Sequence, residues 1–558
     1  MPRKILIAWS RPLPRSQADS WELPKLEREK ETQMERIDRS AKVRENFHQA
    51  KWDEPIIFEL SNKGERGIQV PQAEPHIQEL VGDGISLLPA HMRRNEPPAL
   101  PEISQPRVLR HYMRLSQETL GADVNIEIGQ GTCTVKYSPK INDQLAKLPQ
   151  ISELHPLQAT KTVQGILEIF HRTESILKEI SGLDRFTFQP GGGSQGIFTM
   201  ASIVYKYFEE KKEQDVRDEI ITTVYSHPSD AAAPAVKGYK IIYIPPDKDG
   251  YPDFEAFKVA VGKRTAGFFV ANPEDTGVYN PRVREFTRLV HDHGGLCGYD
   301  QANANGLLGV TRAREAGFDM CFFNLHKTFS TPHGCGGPAC GVTGVTRQLE
   351  PYLPGPLIVK KEDSTFGFDA SFMTDSRSVG KIRSFYGVAP VVLKAYAWIM
   401  SLGAEGLYEV SKVAVLNNNY LYKKLMEIPC VEAPYIKGKQ RIEQVRYTIE
   451  KLTTDTGITS GDIQRRMMDF GMHYWTSHHP YHIPEPMTLE PTETPSRDDL
   501  DEYINTLKHV FQEAYDTPEI IRSAPHSSVC HQVDGSPSDD PAQWAITWRS
   551  YLKKTAIK

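Results

Sequence analysis

The stretch NLHKTFSTPHGCGGPACG, residues 324–341, decides how the rest of the chain is read. Four apolar residues, Met320 to Phe323, precede it, and Lys327 stands between them and a glycine-rich turn. A short, wholly apolar run reads as a strand buried on both faces of a parallel sheet. Ligands of open α/β sheets bind at the carboxyl ends of such strands. A lysine there can hold an aldehyde as a Schiff base, and the glycines let the backbone come close to whatever is bound. Alone, a lysine beside glycines reads as an ordinary surface or structural residue.

Three upstream features change that reading. QPGGGSQGIF, Gln189 to Phe198, lies between a predicted helix at Val163 to Ile180 and a second helix beginning near Gly196. Glycines opening a helix expose backbone N–H groups at the positive end of its dipole, which suits a phosphate. His227 follows the β-branched run Ile220 to Tyr225 and offers an imidazole to stack on an aromatic ring. Asp300 ends GGLCGYD, where a carboxylate can pair with a pyridinium nitrogen and keep the ring protonated. Each has a plain alternative: a linker, a core histidine, a capping aspartate. In chain order, phosphate loop, stacking ring, acid and lysine point to pyridoxal 5'-phosphate.

With these residues in place, the chain resembles the glycine cleavage system P-protein family, most closely its cofactor-bearing decarboxylating subunit 2. NLHKTFSTPHG matches that family's lysine motif, and the likeness extends to EPIIFELSNKGERG from Glu54, PRVLRHYMRLSQ from Pro106, GTCTVKYSPKIN from Gly131, GKIRSFYG from Gly380 and LEPTET from Leu489. The resemblance implies an α/β, aminotransferase-like (fold type I) large domain with a mostly parallel sheet, an amino-terminal arm and a smaller carboxyl-terminal α/β domain. It implies Lys327, His227, Asp300 and His326 as catalytic residues. Gly193, Ser194, Gln195, Gly196, Ala302 and Thr328 join His227, Asp300 and Lys327 around the cofactor, with Ser330 as a further hydroxyl donor. It implies a decarboxylase acting on glycine or a close analogue, with a lipoylated carrier as acceptor. The expected assembly is a homodimer or a heterotetramer with a subunit 1-like chain, and the expected compartment is the cytoplasm.

Composition bounds the alternatives. The chain has 558 residues, enough for two or three domains, and a formal charge of −5 from 66 basic and 71 acidic side chains. No basic stripe suggests nucleic acid. Seven cysteines without a CxxC pair fit reduced thiols, so Cys335 and Cys340 read as small buried residues. No apolar run is long enough for a membrane span, and MPRKILIAWSRP lacks the pattern of a secretory signal. The boundaries expected are a charged extension at 1–50, read as a solvated helix or an arm against a partner, an arm at 51–153, a large domain at 154–384 and a small domain at 385–558. Within the large domain, strands are expected at Lys240 to Ile244, Ala266 to Ala271 and Leu296 to Asp300, and a helix at Pro281 to His293. A helical run from Val391 to about Val410 opens the small domain.

Departures from the family pattern cluster around the expected pocket. HPSDAAAPA from His227 puts Asp230 where the family carries asparagine, and Arg441 to Val445 replaces a Met-His-Glu-Phe-Val strand. Ile197 replaces a glutamate, and Gly387 to Pro390 replaces GNFG. MHYWTSHHPYH at Met472 to His482 offers His478, His479 and His482 without a carboxylate or thiol at ligand spacing, so no metal is expected, and Tyr474 and Trp475 read as shaping the substrate mouth. Thr132, Thr134, Lys136 and Tyr137 read equally as anion ligands or as a buried turn. These changes leave open a repurposed lyase or transferase that acts on another amino acid without a lipoyl carrier. A non-catalytic role fits a chain with Lys327 least.

Overall fold

The computed structural model describes residues 43–555 except 69, 97, 122–123, 134–135, 333–338, 370–374, 437, 475–481, 530–531 and 533–539. The first forty-two residues, Thr134, Cys335, Trp475, His478 and His479 therefore lie outside the described residues.

The central sheet is built from β1 (Arg185–Thr187), β2 (Glu219–Thr223), β3 (Lys240–Ile244), β4 (Thr265–Ala271), β5 (Leu296–Gln301), β6 (Met320–Asn324) and β7 (Gly341–Val345). Their order is β1-β7-β6-β5-β4-β2-β3. From β3 to β6 every neighbouring pair is parallel, and β7 runs antiparallel to both β6 and β1. All residues of β5, β6 and β7 are buried, as expected for strands covered on both faces.

Helices cover that sheet where the sequence places them. Gln164–Ser181 turns seven residues inward, among them Leu167, Phe170 and Leu177, and ends on Gly182 in a left-handed conformation that a side chain rarely adopts. Gly193–Glu210 starts three residues before the expected position, so three glycine-loop residues belong to its first turn. Val283–Asp292 starts two residues later than expected, after Arg282.

Two larger corrections concern the carboxyl-terminal region. The helix expected from Val391 to about Val410 runs from Ala389 to Leu425, interrupted only at Gly403, whose φ of +67° breaks the helical geometry. Its first half supplies Val391, Val392, Ala395 and Trp398 to the core of the large sheet. Its end supplies Leu421, Tyr422 and Leu425 to a second core, which also holds the antiparallel pair β10 (Val445–Thr448) and β11 (Pro486–Leu489). Between β7 and the long helix in the chain lies a small hairpin, β8 (Ile358–Lys360) and β9 (Phe366–Phe368). Tyr474, expected at the substrate mouth, is instead 2% exposed inside the second core.

On the outer face of β4 the core is aromatic. Phe257 is fully buried, with ring centroids 4.8 Å from Phe268 and 4.6 Å from Phe286. Truncating a ring in such a cluster removes apolar contact and leaves a void. Phe257→Ala is expected to cost about 3–5 kcal/mol of stability in denaturant unfolding.

Candidate active site

Strands β5 and β6 are parallel neighbours, with Asp300 opposite Phe322 and Gln301 opposite Phe323. Their carboxyl ends are joined through Ala302. Its N–H donates to Asp300 Oδ1 at 2.8 Å, and its carbonyl accepts from the Asn324 N–H at 3.3 Å. One turn later the Lys327 N–H donates to the Asn324 carbonyl at 3.1 Å, and the Leu325 N–H to the Cys340 carbonyl at 2.9 Å. This turn holds Lys327 buried at 6% exposure. Among the described residues no hydrogen bond or ion pair engages its ammonium, although its charge reaches both Asp300 and Glu490.

The glycine loop packs directly against the same turn. A Cβ on Gly193 would lie 3.2 Å from Asn324 Nδ2, one on Gly192 3.8 Å from His326 Cε1, and one on Gly341 2.7 Å from the Gly192 carbonyl. Gly196 is also tight, since a Cβ there would lie 2.9 Å from the Phe322 ring. The loop therefore has to be glycine to reach the lysine turn. Ser194 and Gln195 at its tip are exposed, and Gln195 Oε1 accepts from the Gly191 N–H at 2.7 Å.

His227 follows β2 and is exposed on the same edge, its Nδ1 2.7 Å from Ser229 Oγ. Its charge acts on Asp300. His326 is buried, and its Nδ1 accepts from the Cys340 N–H at 3.3 Å. Thr328 Oγ1 accepts from the Ala304 N–H at 2.8 Å, and Ser330 Oγ donates to the Tyr137 carbonyl at 2.5 Å. Both hydroxyls thus brace the lysine turn. Cys340 is fully buried, with its thiol pushed up to about 12 by burial. The Lys136 side chain is buried, with Nζ 2.9 Å from Glu493 Oε2 and 4.9 Å from the Trp398 ring centroid, which favours the buried-turn alternative.

Residues with no sequence motif complete the site. Glu490, just past β11, is fully buried and accepts from Asn303 Nδ2 at 2.7 Å and from Asn305 Nδ2 at 2.7 Å. Burial pushes its carboxyl up to about 7, while the two amides, Lys327 and Lys136 pull against the rise. Glu274, after β4, is pushed up to about 8 by burial despite the Thr223 hydroxyl that donates to it. Burial likewise raises Asp300, against the charges of His227 and Lys327 and the Ala302 amide. On the opposite side, Arg383 brings Nη1 to 2.5 Å from where a Gly191 Cβ would be, so a cation lies over the glycine loop.

These donors fit a phosphorylated aldehyde with a basic ring nitrogen. A lysine, a carboxylate and a glycine cradle converge, and buried polar atoms beside them, Asn324 Oδ1 and Gln301 Oε1, have no hydrogen-bond partner. A metal is less well served. Among the described residues the group with ligand spacing is His291, Cys297 and Asp319, where the His291 Nε2–Asp319 Oδ2 contact of 2.8 Å already satisfies both.

Known proteins agree with this geometry. Residues 188–444 match the family described as "Aminotransferase class-V", and residues 410–528 match "Glycine dehydrogenase, C-terminal domain". A Thermococcus gammatolerans protein named "Probable glycine dehydrogenase (decarboxylating) subunit 2" is 41% identical over 509 residues, covering 91% of this chain and 98% of its own. The chain belongs to the glycine dehydrogenase (decarboxylating) subunit 2 family. A subunit 2 of the same name from Thermococcus kodakarensis is 42% identical over 507 residues, with 90% and 98% covered, and one from Caldanaerobacter subterraneus is 38% identical over 481 residues, with 86% and 96% covered. The fold of this subunit 2 chain is that of an inhibitor-bound glycine decarboxylase (P-protein) crystal structure, at a TM-score of 0.66 and 20% identity, covering 79% of this chain and all of that one. A Thermococcus onnurineus cysteine desulfurase shares it at a TM-score of 0.55 and 16% identity, with 70% and 95% covered.

The Glu274 carboxyl has a sign-definite consequence. Its folded value of about 8 lies above the ordinary glutamate value of 4.5, so between those pH values the unfolded chain has released a proton that the folded chain keeps. The cost to stability is absent near pH 4, grows as pH rises and levels off above about 8. Glu274→Gln removes it. The variant is expected to match the parent's unfolding free energy near pH 4 and to exceed it at pH 8, by on the order of a few kcal/mol in denaturant titrations.

Proposed function

We infer that this chain is a pyridoxal 5'-phosphate-dependent glycine decarboxylase, the catalytic subunit 2 of a glycine dehydrogenase. The observation that carries the reading is the buried Lys327, turned toward Asp300 and packed against a glycine loop, in a chain 41% identical to a glycine dehydrogenase subunit 2 across nearly its whole length. The bound cofactor supplies an electron sink for the carbon that loses carbon dioxide.

The chain's own residues then have separate tasks. The N–H groups of Gly193, Ser194 and Gln195, at the start of a helix, would take the phosphate with the positive end of its dipole behind them, while Gly196, whose N–H donates to the Gly192 carbonyl at 2.9 Å, lets the helix lie against Phe322. Arg383 adds a full positive charge there, suited to that phosphate or to the substrate carboxylate. His227 stacks on the ring from the exposed side. Asp300 holds the proton on the ring nitrogen, and Ala302 keeps that carboxylate aimed by its amide. Lys327 Nζ would hold the cofactor's aldehyde and, when released, would be the base placed to hold or give a proton there. His326 positions the lysine turn from below. Glu490, poised near neutrality beside that lysine, exchanges a proton with it at the pH of the reaction.

A lipoylated carrier is the proposed acceptor and a subunit 1-like chain the proposed partner, with a homodimer as the alternative assembly. Support comes from the arm, where Leu80, Ile85, Leu87 and Met92 are exposed and the helix Pro75–Val81 buries none of its residues in this chain. Among the described residues no helix is long and apolar enough to cross a membrane, and a cytoplasmic location is proposed on that footing.

The test is release of carbon dioxide from carboxyl-labelled glycine by the reconstituted protein, with and without lipoylated carrier. Carrier-stimulated release is expected, and its absence from a cofactor-loaded protein would refute the assignment. Lys327→Ala is expected to remove both the absorbance of covalently held cofactor and all release. Glu490→Gln should leave cofactor absorbance in place while cutting turnover by about 10²–10⁴-fold, the usual scale for a lost acid–base group.

A further inference from the structure

Asp230 is the side chain for which the reading so far has no use. It lies in the first turn of the helix Ser229–Lys237, directly beyond β2, and is 0% exposed. Neither carboxyl oxygen has a hydrogen-bond partner of good geometry. The Ser226 oxygen accepts from the Ala271 N–H and from Thr223, each at 3.0 Å, which leaves its own O–H as a hydroxyl donor toward Asp230. The charges that bear on it most are acidic, Asp300 at the end of β5 and Glu274 and Asp275 after β4, while the basic group on its own turn, His227, acts on Asp300. Asp275 is answered by Arg446, 2.7 Å away, whereas no cation is paired with Asp230.

A carboxylate fully out of water, with a single hydroxyl to answer it and three acidic neighbours, is strongly disfavoured; a carboxylic acid in the same place is not. Two carboxyls in one pocket settle this by keeping a single proton between them. We propose that Asp230 is held as a neutral acid that shares one proton with Asp300, and that it is a positioning residue for the pyridoxal ring. When a cationic ring nitrogen meets Asp300, that carboxyl supplies the negative charge and the shared proton stays on Asp230. The ring then faces one anion and not two. The consequence for the cofactor rests on the function proposed above, whereas the shared proton can be tested on the cofactor-free chain.

Two measurements on that chain decide it. Asp230→Asn should match the parent's thermal midpoint near pH 4 and exceed it increasingly toward pH 8, because the amide removes a group that resists ionisation. An ionised, merely structural aspartate would give the opposite sign, with the variant less stable at high pH, and that result overturns the proposal. With ¹³C-labelled aspartate, infrared spectra at pH 7 should show an acid carbonyl band that Asp230→Asn loses; carboxylate bands alone overturn it. Should Asp230→Asn fail to fold, labelled Asp300→Asn replaces it. Removing the neighbouring charge should move the remaining acid band's titration to lower pH, and an unmoved titration overturns the sharing. In the loaded protein, Asp230→Asn should leave the cofactor absorbance unchanged at pH 6 and differ from the parent only above the pH at which the acid band disappears; a difference at pH 6 overturns the positioning role.

Discussion

The backbone of Ala302 is the tie on which the candidate site depends. Its amide fixes the Asp300 carboxylate and its carbonyl fixes Asn324, so the acid at the end of one strand and the lysine turn at the end of the next are held by the two sides of a single residue. Everything else is arranged around that tie. The glycine loop must be bare of side chains to reach Asn324 and His326, and the hydroxyls of Thr328 and Ser330 hold the turn in place. A carbonyl and an amide cannot be exchanged by substitution, so the spacing from acid to lysine is a property of strand register more than of side-chain choice.

Burial sets the electrical character of the pocket. Glu274, Asp300 and Glu490 come from three separate segments, and each is pushed up because its charge would be far from water. His227, the Ala302 amide and Lys327 offset this for Asp300, and the Asn303 and Asn305 amides, then Lys327 and Lys136, offset it for Glu490. Glu274 and Glu490, raised to about 8 and about 7, thus change their protonation near neutral pH, where an ordinary carboxyl stays ionised.

Much of this was legible because it is local. Lys327, Asp300, His227 and the glycine loop each follow a strand or open a helix at a fixed short offset, and apolar runs marked those strands to within a residue or two. Glu490 and Arg383 were quoted within family-like segments but had no role, since what gives them one is contact with residues far along the chain, 187 positions in the case of Asn303 and Glu490. Tyr474 was misplaced for a related reason. An aromatic beside histidines looks like a pocket wall, yet the side chain points into the second core. The long helix overran its expected end near Val410 because its last turns, with Leu421, Tyr422 and Leu425, are held by the second core, a contact that is not local in the sequence.

The position of Glu490 also bears on how the protein is made. The lysine turn, the glycine loop and Asp300 all leave the ribosome long before β11 does, and at about 5–20 residues per second the interval between Lys327 and Glu490 is roughly ten to thirty seconds. During that interval the nascent sheet has its lysine but not the carboxyl that faces it. A newly made chain is thus an open receptacle first and an enzyme second, so the cell's supply of cofactor can meet the lysine before the pocket's last wall has been translated.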